Sequence, residues 1–156
     1  MPEIRTATVK LGQGTTFSAT SGSGHTITID TSADHGGQNH GPTPMELLLL
    51  GLVGCTGMDV IAMLRKARQD VTDYEVHAQG ERADTHPRVY THIVVTHTVH
   101  GRNLDPRVIA RSVELSATRY CPAAATLGAV ARIEEVVRVI DEATGGVTEE
   151  RIGKGE

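Results

Sequence analysis

The sequence predicts an α+β fold, and three observations carry that reading. The first forty residues read as short strands broken by Gly and Ser turns. A capped, strongly apolar helix opens at Thr43. Alternating strand patterns return after it and enclose a second helical stretch. With 156 residues, the chain suits one domain over 1–156. Its ordered core is expected at about 4–142, and the charged tail after Gly145-Gly146 is expected to fray.

Ile4 to Lys10 mixes Thr, Ala and Val with polar residues and predicts a first strand. Gly12 and Gly14 end it, Thr15 to Thr20 resumes, and Ser21-Gly22-Ser23-Gly24 turns the chain again. His25 to Asp30 alternates, with Ile27 and Ile29 on one face, so an antiparallel meander follows. Ser32 to Gly41 is a polar loop rich in Gly and His. Thr43 is placed as N-cap, Pro44 at the first helical position, and Glu46 three residues after the cap. The helix is expected to run to about Arg68 or Asp70. From Leu47 to Val53 it is apolar nearly all round, the pattern of a helix buried on every side. A chain this size cannot surround such a helix alone, which predicts a partner on one face. Gly51, Gly54 and Gly57 recur every third residue and suggest close approach by another backbone.

Tyr74 to Glu81 reads as a strand, with Tyr74, Val76 and Ala78 on one face. Val89 to His100 is the clearest strand: Val89, Ile93, Val95 and Val99 share one face, and Tyr90, His92, Thr96, Thr98 and His100 the other. Asp105-Pro106 starts a helix ending near Tyr120. Cys121-Pro122 starts a short third helix to about Leu127, and Ile133 to Asp141 reads as the last strand.

Aromatic residues make up 3% of the chain, so the core must be aliphatic. The net charge is −4, and neither a basic patch nor stacking aromatics point to nucleic acid. The uncharged apolar run Leu47 to Met58 is too short to span a membrane. No leader pattern opens the sequence, and the expected location is cytoplasmic. Two cysteines do not form a secreted disulfide scaffold, and without a C-x-x-C a metal site would have to recruit histidines. No cofactor or metal is called for, and a Cys/His metal centre is a minor reading.

The two thiols sit in different settings. Cys121 lies at a helix start with Arg119 nearby, where orphan N–H groups favour a thiolate. Cys55 lies mid-helix with Asp59 one turn on. Local sequence therefore makes Cys121 the better thiolate, while a free Cys among Leu and Val is also often a small core residue. His92 and His100 read as solvated; His35 and His40 lie in the loop before the Cys55 helix, within possible reach of the thiol.

The segment Gly41-Pro42-Thr43-Pro44-Met45-Glu46-Leu47-Leu48-Leu49-Leu50-Gly51-Leu52-Val53-Gly54-Cys55-Thr56-Gly57-Met58-Asp59-Val60 resembles the central helix of the OsmC/Ohr superfamily. Cys121-Pro122 resembles its second Cys-Pro signature, and the likeness spans about residues 4 to 142. The resemblance implies an OsmC-like fold, with antiparallel sheets packed on a long central buried helix in an intertwined homodimer. It implies reduction of hydroperoxides, organic ones preferred, with Cys55 attacking to form a sulfenic acid and Cys121 resolving it as a disulfide. A dithiol reductant, of lipoyl type in the best-known branch, would reset the pair. Active members carry a Glu ten positions before the helical Cys, paired with an N-terminal Arg. Here that position is Met45, and Glu46, nine before, falls about 180° around the helix from Cys55. The turn from Gly12 to Gly24 holds no Arg. These departures place the chain in a side branch and support an alternative of another class: a non-enzymatic or redox-sensing protein holding a small apolar ligand at the dimer interface.

Overall fold

The structure, a computed structural model, describes residues 1–153, which fall into two units, Met1–Leu48 and the chain from Leu49 onward. In the first unit, β1 (Ala7–Leu11), β2 (Phe17–Ser21) and β3 (Thr26–Ile29) form the expected antiparallel meander. The first strand begins at Ala7 rather than Ile4. Register sets Val9 beside Ala19 and Ala19 beside Ile27, and Leu11 beside Phe17 and Phe17 beside Ile29. One face of the meander is therefore apolar, yet Val9, Leu11 and Ile27 are exposed. Among the described residues of this unit only Asp30 is buried. The loop after β3 folds back on it: Asp30 N–H donates to the Pro42 carbonyl. Gly41 permits this approach, since a Cβ there would lie 2.1 Å from the Thr28 carbonyl oxygen.

Helix α1 (Pro44–Lys66) starts where the sequence places it, with the Glu46 N–H donating to Thr43 Oγ1 at 3.2 Å. It stops when Arg68 enters the left-handed region at φ 56°. The Gln69 N–H then reaches back to the Leu64 carbonyl at 3.0 Å, closing the helix C-terminus. Within one chain the helix is buried along one stripe only. Leu52, Thr56, Val60 and Leu64 form one buried stripe, whereas Leu48, Leu50 and Met58 are exposed. Of the glycine ridge, Gly57 faces the sheet, 3.4 Å from Val76 Cγ2 by its absent Cβ, while Gly51 and Gly54 meet open space. By length and composition alone α1 is long and apolar enough to cross a membrane, a test that core helices of soluble proteins also pass.

The second unit holds a four-stranded sheet ordered β4 (Asp70–Arg82), β5 (Tyr90–Arg102), β6 (Arg132–Asp141), β7 (Val147–Ile152). Two expectations are corrected here. The sheet is mixed rather than antiparallel, because β5 and β6 pair in parallel, His97 beside Val137. Helices connect those strands, and such a crossover returns the chain in the same direction. The tail also does not fray over Val147–Ile152, which pairs along β6 from Ile140 to Glu135; the rest of that expectation, residues 154–156, lies outside the described residues. The turn between them uses Gly145 at φ 72°. On one face of the sheet, Val99, Val137 and Val139 pack with Val60 and Leu64 of α1 and with Ile109 and Val113 of α2 (Pro106–Leu115). This aliphatic core matches the scarcity of aromatics. After α2 the helix widens into a π turn over Ser116–Tyr120, and α3 (Pro122–Gly128) follows.

Candidate functional site: two free thiols at a helix junction

Cys55 sits on α1, half-buried, and Cys121 sits at the N-cap of α3, 3% exposed; both are free thiols. The π turn brings them together. Its closing bond runs from the Cys121 N–H to the Ser116 carbonyl at 2.9 Å, five residues back. Ser116 is anchored to α1. Its hydroxyl donates to Asp59 Oδ2 at 3.0 Å, so Thr56 Oγ1, 2.8 Å away, supplies the donor in the other bond. Thr56 and Ser116 are fully buried. This polar clamp fixes the start of the π turn against Thr56 and Asp59 of α1, and Cys55 is near enough to Cys121 to raise its thiol.

Local sequence favoured Cys121 as the thiolate, and the structure corrects that. Burial pushes its thiol up to about 11. The Ala124 N–H, donating to Sγ at 3.3 Å, opposes the rise, and the neighbouring Cys55 thiol adds to it. The N-cap position is as read; desolvation outweighs its helix-end dipoles. Arg119 lies 5.5 Å over the Tyr120 ring. Cys121 also lines a cavity of about 530 Å³, whose wall includes Ala117, Ala124, Ile133 and Glu135, with Arg119 and Arg132 among its charged groups.

The histidines divide differently from the sequence reading. The exposed His35 places Nδ1 2.8 Å from Ser32 Oγ, and the His40 N–H donates to Asp30. Glu46 is exposed. His92 pairs with Glu134 across β5 and β6 at 2.5 Å, a contact that holds the Glu134 carboxyl below its ordinary range. Among the described residues no three His, Cys, Asp or Glu side chains gather as a metal site would require. Sequence reasoning missed His97, Tyr74 and Glu135 as a set. The Tyr74 hydroxyl lies 2.6 Å from His97 Nδ1, and His97 Nε2 lies 2.9 Å from Glu135 Oε2. The signal was available: His97 and Glu135 interrupt the apolar alternation of Val95–Val99 and Ile133–Val137.

Comparison with known proteins gives a consistent result. The OsmC family profile, described as OsmC-like protein, matches residues 36–136. Protein YhfA of Escherichia coli K12 is 40% identical over 134 residues, which covers 86% of this chain and 97% of that one. A hypothetical protein from Aquifex aeolicus has a crystal structure that superposes with TM-score 0.78 at 28% identity, covering 90% of this chain and 99% of its own. The organic hydroperoxide resistance protein OhrB of Bacillus subtilis matches in fold, with TM-score 0.59 at 19% identity over 86% of this chain and 98% of its own. The profile covers most of the chain, and YhfA matches it at 40% identity over most of both lengths: the chain belongs to the OsmC-like protein family.

Proposed function

We propose that the chain is a thiol-dependent peroxidase that reduces organic hydroperoxides in oxidative-stress defence, with Cys55 attacking and Cys121 resolving. One observation carries the reading: two free thiols near enough for Cys55 to act on the Cys121 thiol, one partly accessible and the other buried. The accessible Cys55 meets substrate first. Its thiolate attacks the O–O bond, an alcohol leaves, and Cys55 becomes a sulfenic acid. Cys121 then attacks that sulfur, water leaves, and a disulfide forms. A dithiol reductant, of lipoyl type, restores both thiols. The apolar side chains of α1 suit an organic substrate. The OsmC-like family includes organic hydroperoxide resistance proteins, which supports the same chemistry. The protein works as a cytoplasmic homodimer.

The test mixes reduced protein with cumene hydroperoxide and counts free thiols over time. Two thiols per chain are lost, Cys55→Ser abolishes the loss, and Cys121→Ser stops at a dimedone-reactive sulfenic acid. Thiols that survive excess peroxide overturn the proposal. They leave the second reading, a small-ligand binder with structural cysteines, which Met45 favours by standing where active members carry Glu.

A further inference from the structure

The two cysteines differ in what they line. Cys121 lies in the wall of the cavity of about 530 Å³, and Cys55, half-buried on α1, does not. A cavity of this volume suits a small molecule. Much of its wall is small and apolar, with Ala117, Ala124, Ala125 and Ile133. Its charged side chains are paired with one exception. Glu114 meets Arg111, Arg132 meets Glu134, Glu134 also meets His92, and Glu135 meets His97. The Arg119 guanidinium has no ion pair or hydrogen bond among the described residues; it is exposed and lies 5.5 Å over the Tyr120 ring. Arg119 and Cys121 stand two residues apart where the π turn ends, and both line the cavity. An occupant that meets both carries an anionic group within a short apolar chain of a sulfur. The net charge of the protein is −4, so attraction for an anion here has to be local.

We propose that this cavity is the entry for the reductant, a dithiol with a carboxylate on an aliphatic chain, which opens the Cys55–Cys121 disulfide at the Cys121 sulfur while Arg119 holds the carboxylate. The inference rests on the reading of the two cysteines as a redox pair. A thiolate of the dithiol attacks the Cys121 sulfur, and that S–S bond forms as the Cys55–Cys121 bond breaks. Cys55 leaves as a thiolate and takes the proton of the attacking thiol. The second thiol of the dithiol then attacks its own partner sulfur, closing a cyclic disulfide. Cys121 leaves and takes the second proton. Two electrons and two protons pass to the cysteines, and the dithiol is oxidised. The order follows from the leaving groups. Attack at Cys55 would expel Cys121 first, as an anion in a buried setting that raises its thiol. Attack at Cys121 leaves that departure to ring closure, which is intramolecular. Peroxide and reductant therefore meet the pair at different sulfurs.

The experiment closes the disulfide with diamide, so it stands apart from hydroperoxide chemistry. The oxidised protein is mixed with 8-mercaptooctanoate, a monothiol that cannot close a ring and stops at the mixed disulfide. After an early acid quench, peptide mass spectrometry finds the adduct on Cys121 and Cys55 free. An adduct on Cys55 overturns the proposal. Reduction rates are then compared for dihydrolipoate and dihydrolipoamide, which share a dithiol and differ by the carboxylate charge. Their ratio is divided by the same ratio for 2-hydroxyethyl disulfide, a small neutral substrate. The parent protein prefers the acid about fivefold at low salt, and Arg119→Gln brings the ratio to about one. A parent ratio near one overturns the proposal without any variant having to fold, and so does a ratio that Arg119→Gln leaves unchanged. If these results hold while hydroperoxide leaves the thiols untouched, the peroxidase reading alone falls. A pair that diamide cannot close overturns both.

Discussion

Asp30 holds the loop that leads toward α1 through four hydrogen bonds. Oδ1 accepts from Thr15 Oγ1 at 2.6 Å and from the Thr31 N–H at 2.8 Å, and Oδ2 accepts from the N–H groups of Gln38 and His40 at 3.0 and 3.3 Å. The Thr15 hydroxyl and then the backbone donors hold its carboxyl down to about 2. The sign follows from that direction. A group depressed in the folded state stabilises the fold above its unfolded value, near 3.9, and loses that contribution as pH falls toward 2. Amide exchange at Gln38 and His40 is therefore expected to stay slow at pH 5 and accelerate between about pH 4 and 2. Asp30→Asn, which sets an NH₂ against donors, should show the fast exchange already at neutral pH. Unchanged exchange in that variant would show that the loop does not depend on the carboxylate. At this scale the sequence was partly legible. It marked both cysteines, because Thr43-Pro44 and Cys121-Pro122 are strong local signals. It did not reveal Asp30, three of whose four donors come from residues 8 to 15 positions away, nor the rise of the Cys121 thiol, which comes from burial that no local window contains.

The junction between α1 and the π turn depends on one hydroxyl. Ser116 bridges Thr56 and Asp59, and all three lie at the helix face that carries Cys55. Ser116→Ala removes the bridge and leaves a buried hydroxyl and a half-buried carboxylate without it. The expected cost is about 1–3 kcal/mol. That corresponds to a fall in Tm of about 3–10 °C for a chain of this size. Disulfide formation should slow as well, because the π turn loses its hold on α1. A calorimetric Tm within a degree of the parent would remove the clamp from the account. The π turn was not legible in the sequence, since Ser116–Tyr120 continues a helical pattern and hydrophobic spacing does not separate a widened turn from an α turn. The parallel pairing of β5 with β6 was legible in principle. Twenty-nine residues with two helices lie between Arg102 and Arg132, a span that antiparallel neighbours do not need. The last strand hid for another reason: Val147–Ile152 carries three consecutive charged residues, Glu149-Glu150-Arg151, on a sheet edge, and edge strands carry charge where central strands carry aliphatics.

Two surfaces lack the cover that their composition calls for. The meander of β1 to β3 turns Val9, Leu11 and Ile27 to solvent, and three strands need their apolar face packed to be stable. Helix α1 exposes Leu48, Leu50 and Met58, with Met58 at 73%. The segment Leu47 to Val53 is apolar nearly all round, more than one chain of this size covers. In the structure one stripe is satisfied within the chain, and the remaining apolar side chains are what a second copy would bury. A homodimer at micromolar concentration is the expected result of sedimentation velocity. Burying a Leu or Met side chain contributes about 1.5–3 kcal/mol. A symmetric interface counts each substitution twice, so Met58→Glu should weaken the dimer by on the order of 10²–10⁴ in Kd. Leu50→Glu should act alike, and Thr8→Glu on the polar face of the meander should not. As the dimer dissociates, amide protection in residues 7–29 should fall before that in β5, because the β5 core is closed within its own unit. A monomeric parent protein with full protection across residues 7–29 would refute the dimer.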